Sequence, residues 1–304
     1  MPQPASQPLN AKSPALFIAV GQQGVRITSP DGKTWSHEQT GKEGEVYRAV
    51  AFGNGRYVAV GTFGGKNIFA SSADGQKWEM SSKDGKYSLY VRGLAFGNKS
   101  FLGIGGDPGS VGGSAPFVMT TPDGVAWSDY IKISGKNILR RLAWGKDRFV
   151  GVGDRGRRSM SKDGVTWEDA AGTKAIDTLI DIAYGGPEKQ GIFVGVGLHG
   201  LRMTSVDGLK WSERIAGEEG EHLNSIVWAE NRFVAIGAGG TYFSPDGLKW
   251  TREANKDAPT AATYGNGVFV GASWKGRLLR STDGIKWEQV YKGENNFEAV
   301  AFGG

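Results

Sequence analysis

Three arginines stand at matching places in the chain. Each lies three residues before an alanine–aromatic pair: Arg48 before Ala51-Phe52, Arg92 before Ala95-Phe96, and Arg140 before Ala143-Trp144. A guanidinium group holds a carboxylate or sulfate through paired N–H donors. If the three converge, their chemistry is anion binding. The same register elsewhere carries Ile180, Asn224, Thr260 and Glu298. The bland alternative is that the arginines pair with Asp or Glu of neighbouring segments, and the apolar or aromatic residues beside them (Tyr47, Val91, Leu139) fit simple core packing.

A second set of candidates follows a recurring glycine-ended segment: Phe63, Asp107, Asp154, Arg155, His199, Trp274 and Lys275. The longest stretch at this point, Gly105 to Pro116, is rich in glycine and is expected to lie over the site. The three histidines, His37, His199 and His222, show no metal-ligand spacing, and there is no cysteine. We therefore expect no metal and no cofactor. Gly151-Val-Gly-Asp-Arg-Gly156 and Gly195-Val-Gly-Leu-His-Gly200 match a dinucleotide fingerprint only in letters. That motif needs a helix after it, and here a strand follows, so both read as hairpin turns. Asn98-Lys99-Ser100 has the form of a glycosylation sequon but reads as turn chemistry.

The elements that must position these residues come from a repeat. Ser or Thr, any residue, Asp, Gly, two residues and Trp recur seven times, with Asp at 31, 74, 123, 163, 207, 246 and 283. The steps between them are 43, 49, 40, 44, 39 and 37 residues. Before each box stands an aromatic followed by alternating small and branched residues, starting at Phe17, Tyr57, Phe101, Phe149, Phe193, Phe233 and Phe269. Period-2 alternation over five residues marks a strand. Before that comes a strand ending in Phe52, Phe96, Trp144, Tyr184, Trp228, Tyr264 or Phe302.

Each unit thus reads as strand A (RAVAFG), strand B (YVAVG), strand C (RITS), the Asp-Gly turn, and strand D (KTW), which carries the box Trp. Four short antiparallel strands per ~40 residues make a propeller blade. The chain begins on a strand B at Leu16 and ends on a strand A at Phe302, so the two ends are expected to complete one blade. The expected fold is all-β: a seven-bladed β-propeller of four-stranded antiparallel blades over residues 15–304, closed by its termini, after a Pro-rich tail over residues 1–14. Glycine at 49 of 304 residues, with 10 Trp, suits strands and tight turns rather than helices. The boxes are expected to be structural turns: Asp accepts backbone N–H bonds, Gly takes a positive φ, and Trp packs between blades.

The net charge of +5 comes without a Lys/Arg run, which argues against a nucleic-acid partner. No apolar run approaches the ~18 residues of a membrane span, which argues against membrane insertion. The polar, Pro-rich start is expected to follow an export signal, placing the protein in the periplasm or outside the cell. A monomer is expected.

The box resembles the Asp-box (BNR) repeat of sialidase-like propellers and of propellers that assist photosystem II assembly. The resemblance implies that the boxes lie on the face opposite the ligand. It also implies an arginine cluster for a carboxylate in sialidases, although their Tyr nucleophile with its Glu partner and their Asp acid have no counterparts here. The site is expected at the channel mouth, with Arg48, Arg92, Arg140, Arg155, His199, Lys275 and Glu298 as ligand-binding candidates. The leading expectation is a non-catalytic binding or assembly scaffold for a protein or acidic glycan partner. The alternative is a glycoside hydrolase or lyase on an acidic glycan, with Asp181, Glu298 or His199 as its acid or base.

Overall fold

The computed structural model describes residues 14–85, 90–106, 115–186, 190–217 and 221–304. Residues 1–13, which the expected tail covers, and residues 107–114, Asp107 among them, lie outside the described residues. Seven antiparallel sheets form the blades of a propeller. Their inner strands, one per blade, are Phe297–Gly303, Val46–Gly53, Tyr90–Gly97, Leu139–Gly145, Leu179–Gly185, Leu223–Ala229 and Ala261–Gly265, and each touches the next around a closed ring. We number the blades one to seven in that order.

Blade one is built from both ends of the chain. Phe297–Gly303 pairs with Leu16–Gly21, with Phe17 opposite Phe302 and Ala19 opposite Val300. Tyr57 of blade two staples this closure. Its hydroxyl accepts the Leu16 N–H at 3.0 Å and points its proton at the Gly303 carbonyl, with the Pro14 carbonyl also in reach at 2.9 Å.

Aromatic rings join the blades near the end of each inner strand. In every blade the inner-strand aromatic lies against the aromatic that opens the second strand, as with Phe96 and Phe101 (ring centroids 5.0 Å apart) or Trp144 and Phe149 (4.5 Å). Such tilted pairs stabilise beyond their buried area. The glycine that ends the preceding blade's inner strand lies flat against the same ring. A Cβ on Gly97 would sit 2.3 Å from the Trp144 ring, and one on Gly303 would sit 2.0 Å from the Phe52 ring. Blade six alone ends in alanine, the buried Ala229.

The boxes form the predicted turns. In blade two, Asp74 Oδ1 accepts the N–H groups of Gln76 and Lys77, both at 2.8 Å. Ser72 Oγ accepts the Gly75 N–H and donates to Asp74. Gly75 holds φ at +70°, and a Cβ there would meet Thr28 of blade one at 2.8 Å. The Trp N–H finds the carbonyl of its own box glycine in six blades, as Trp78 does at 3.2 Å. In blade one the buried Trp35 Nε1 has no partner among the described residues.

Two details differ from expectation. The box segment that ends in Trp precedes the edge strand rather than forming it; in blade one that strand is Ser36–Gln39, after Trp35. Blade five has three strands, not four: its edge is reduced to isolated bridges, Arg202 with Ile215 and Ser205 with Trp211. There the Ser212 hydroxyl accepts the Thr204 N–H at 3.0 Å. A serine side chain that takes over a ladder bond interrupts the strand. Ser128 does the same to Thr120 in blade three, whose edge strand has only two residues, Ile131–Lys132.

Burial is the largest influence on six of the seven box carboxyls and pushes them up, but the bonds from backbone N–H groups and the box Ser or Thr hydroxyl, with nearby charge in some boxes, together outweigh it. At Asp246 the Lys249 N–H bond is itself the largest influence and lowers the carboxyl. Asp31 and Asp163 fall to about 2, and the other five also lie below the ordinary value. A folded-state pKa below the unfolded value of about 3.9 adds stability that is present above that value and lost as pH falls through the folded one. The melting temperature is therefore expected to be flat above about pH 5 and to drop steeply between about pH 4 and pH 2; a scan by calorimetry checks this. Gly97→Ala is expected to lower the melting temperature at pH 7 by roughly 3–10 °C, through overpacking against Trp144.

Candidate functional site

Because the strands of each blade alternate in direction, the A–B hairpins and Asp boxes share one face, and the B–C and D–A connections share the other. Hydrogen bonds mark the first face: Asn54, in the A–B hairpin of blade two, donates to Lys99 and Pro122 carbonyls, in the hairpin and the box of blade three. The mouth on the second face is lined by the starts of the inner strands.

The aligned residues share a backbone feature there. In blade two, Tyr47 pairs with Gly61 and Ala49 with Val60, so Arg48 is the extra residue of a β-bulge. The same shift skips Arg92, Arg140, Ile180, Asn224 and Glu298. A bulge bends its strand and re-aims a side chain; here the bulged residues line the mouth. The bulge explains the glycine that ends the second strand. A Cβ on Gly61 would sit 2.0 Å from the Val46 carbonyl oxygen, and on Gly105 1.9 Å from that of Tyr90. Blade seven has Ser273 in place of this glycine, and its inner strand shows no register shift. Pro259, which has no N–H to give a ladder, precedes Thr260 there.

Arg48, Arg92, Arg140, Ile180 and Glu298 line one cavity of about 280 Å³, together with Arg141 and Asp154. The sequence register thus brings five of its seven positions together, across blades one to five. Four guanidinium groups face two carboxylates. Arg140 is held in a two-pronged pair by Asp154, with one prong at 2.9 Å. Arg141 donates to the Arg140 and Arg92 carbonyls at 3.2 and 3.4 Å. Glu298 accepts the side-chain N–H of Gln22 at 3.0 Å.

Arg48 and Arg92 have neither an ion pair nor a side-chain hydrogen bond among the described residues, and the buried Nε of each is unpartnered. Desolvation, then repulsion from Arg140 and Arg48, lowers the Arg92 pKa, and Asp154 and Tyr90 only partly oppose this. An arginine remains charged under such a shift. The cavity therefore presents two uncompensated cations.

The remaining candidates lie outside this cavity's lining. Arg155, His199 and Lys275 occupy corresponding tips of B–C turns, all with positive φ (53°, 56° and 61°) and all exposed. The His199 N–H donates to His222 Nδ1 at 3.1 Å. No group of three or more His, Cys, Asp or Glu is placed to hold a metal among the described residues. Asp181 is half-buried and bridges blades five and six, accepting from Ser225 Oγ (3.2 Å) and the Ile226 N–H (2.9 Å). Burial pushes its carboxyl up, against the pull of Arg141.

No protein-family model matches the chain, and no curated protein does. Solved structures share the fold. YCF48 bound to D1 peptide superposes with a TM-score of 0.58 at 17% identity, over 89% of this chain and 89% of that one. YCF48 from Cyanidioschyzon merolae gives a TM-score of 0.58 at 17% identity, over 83% of this chain and 88% of that one. The Pseudomonas aeruginosa periplasmic gluconolactonase gives 0.68 at 6% identity, over 95% and 99%.

The two kinds of arginine should respond oppositely to removal. Arg92→Gln takes away a desolvated, repelled charge and is expected to leave the melting temperature unchanged or raise it by about 1–4 °C at low salt. Arg140→Gln strands Asp154 and is expected to lower it by a similar amount. Differential scanning fluorimetry of both variants, at low and high salt, checks this.

Proposed function

We propose that this propeller is a non-catalytic binding or assembly module that seats an anionic group of its partner, a carboxylate or sulfate, between Arg48 and Arg92. The observation that carries the reading is that, among the described residues, neither has an ion pair or a side-chain hydrogen bond in a cavity where cations outnumber carboxylates four to two. An anion bound there accepts from guanidinium groups that no other side chain engages, and it relieves the repulsion within the arginine cluster. Arg155, His199 and Lys275 are further donors on the same face for a partner that extends beyond the cavity.

The lining supports binding rather than turnover. Its two carboxylates are engaged, Asp154 by Arg140 and Glu298 by Gln22. Asp181 is tied between blades. A general acid or base must be free to reach its proton. The YCF48 neighbour, bound to D1 peptide, supports a protein partner on this fold. The seven boxes support kinship with the Asp-box propellers. An acidic glycan satisfies the same charges, and the enzymatic alternative would act on one.

Thermal-shift titrations with glucuronate, N-acetylneuraminate, sulfated sugars and an acidic peptide test the reading, comparing the native protein with Arg48→Gln/Arg92→Gln. An anion at about 100 times its Kd stabilises by about 2.7 kcal/mol. We expect a shift from at least one of these anions, weakened by salt and lost in the double variant. No shift from any of them, or a shift the double variant keeps, overturns the site. A product appearing on incubation would move the reading to the enzymatic alternative.

A further inference from the structure

Nine of the ten tryptophans have a structural task. Seven close the boxes. Trp144 lies tilted against Phe149 and Trp228 edge-on to Phe233 within their blades. Trp274 does neither. It is 68% exposed, the most exposed of the large apolar side chains described. Among the described residues its side chain has no ring partner, cation or hydrogen bond.

Its position is informative. Trp274 opens the B–C turn of blade seven, where blade one has Gln22 and blade four has Asp154. Those two reach Glu298 and Arg140 at the mouth. Trp274 likewise borders a hollow of about 240 Å³ at the inner ends of blades six and seven. The hollow takes up the two register positions that the arginine cavity leaves out, Asn224 and Thr260. Ser273, in place of the bulge glycine, lies in its wall.

Several other lining groups are polar and already hydrogen-bonded. Arg277 pairs with Asp257 at 2.6 and 3.2 Å and also donates to Ser273 Oγ at 3.1 Å. Asn255 is fixed by the Gly239 N–H and the Gly237 carbonyl. The Asn224 side chain makes no hydrogen bond among the described residues, and Thr260 Oγ1, which donates to Ala272, retains acceptor capacity. Unlike the arginine cavity, the hollow has its guanidinium neutralised. Lys256 adds one exposed ammonium to the lining; the other polar groups are directional donors and acceptors beside the Trp274 indole.

We propose that this hollow is a saccharide subsite. One pyranose ring lays its C–H face on Trp274, and its hydroxyls bond Asn224, Thr260 and the free edges of the Asp257–Arg277 pair. An exposed aromatic plane with few, placed polar groups is the usual make-up of a site for a ligand with one apolar face and a hydroxylated rim. The inference does not depend on the anion reading. Where both hold, the two sites share one mouth, and the partner is a glycan carrying an acidic and a neutral sugar.

The test uses the full chain labelled with 5-fluorotryptophan, whose resonances are followed by fluorine NMR. The Trp274 signal is identified by its loss in Trp274→Phe. Neutral tetrasaccharides of glucose, mannose, galactose, xylose and N-acetylglucosamine are each titrated to well above a Kd of about 1 mM. At least one is expected to move the Trp274 signal and leave those of the nine packed tryptophans in place. Binding should weaken at least about tenfold (1.4 kcal/mol) in Trp274→Ala and persist in Arg48→Gln/Arg92→Gln. Because Trp274 is exposed, Trp274→Ala should keep the native melting temperature, so lost binding is not lost folding. If no saccharide moves the signal, or Trp274→Ala binds as well as the native protein, the subsite is overturned. If an acidic peptide moves the signal and no sugar does, the face is a peptide surface and the proposal fails while the anion site stands.

Discussion

The mouth of this propeller depends on one close approach, a carbonyl of the inner strand resting where a side chain of the second strand would otherwise be. In blade two the Val46 oxygen lies 2.0 Å from the point a Cβ of Gly61 would occupy, and five other blades repeat the contact. Only glycine admits it. Once the strands come this near, the inner strand carries one residue more than its partner, and that residue is re-aimed at the mouth. Every bulged side chain in the mouth, Arg48, Arg92 and Arg140 included, owes its direction to a glycine on the neighbouring strand.

The opposite face does different work. Its Asp boxes and its aromatic rings laid on glycine are repeated with few departures, and they involve short-range bonds and well-filled contacts. Those are features that hold a ring together. Because stability is concentrated there, the mouth can keep desolvated charges that add nothing to it. Arg48 and Arg92 are placed at some cost to the free protein, of a kind found at binding sites.

Much of this was legible in the residues. The seven boxes and the terminal strands specify blade number and closure, because a period of ~40 residues with a split final unit has few other solutions. The arginine register was legible too, since Ala51-Phe52, Ala95-Phe96 and Ala143-Trp144 set a common frame. The bulge was not. Its sign was the glycine ending each second strand, which alternation alone explains equally well as a small residue before a turn. The same ambiguity concealed blade seven, where Ser273 replaces that glycine. Arg155, His199 and Lys275 look like binding residues by charge, yet each is also the left-handed residue of a tight turn, a conformation no periodicity reveals. The weak edge of blade five depends on Ser212 taking a ladder bond, which is a matter of rotamer and not of pattern.

Seven equal positions around a ring cannot recognise anything with an orientation, so a propeller gains specificity by breaking its own symmetry. Here the break is graded. Passing round the mouth from blade one, the register reads Glu298, Arg48, Arg92, Arg140, Ile180, Asn224 and Thr260. Three cations beside one carboxylate occupy one arc, and the neutral Ile180, Asn224 and Thr260 the other. The backbone changes with the side chains, since blade seven abandons the bulge and its turn presents Trp274 instead. A ligand entering this mouth therefore meets a strong field on one side and, on the other, an apolar plane with directional bonds. A symmetric anion has no use for the second arc, and a neutral molecule has none for the first. The arrangement discriminates most sharply for a partner whose charge is confined to one end, because only such a partner satisfies both arcs, and in a single orientation.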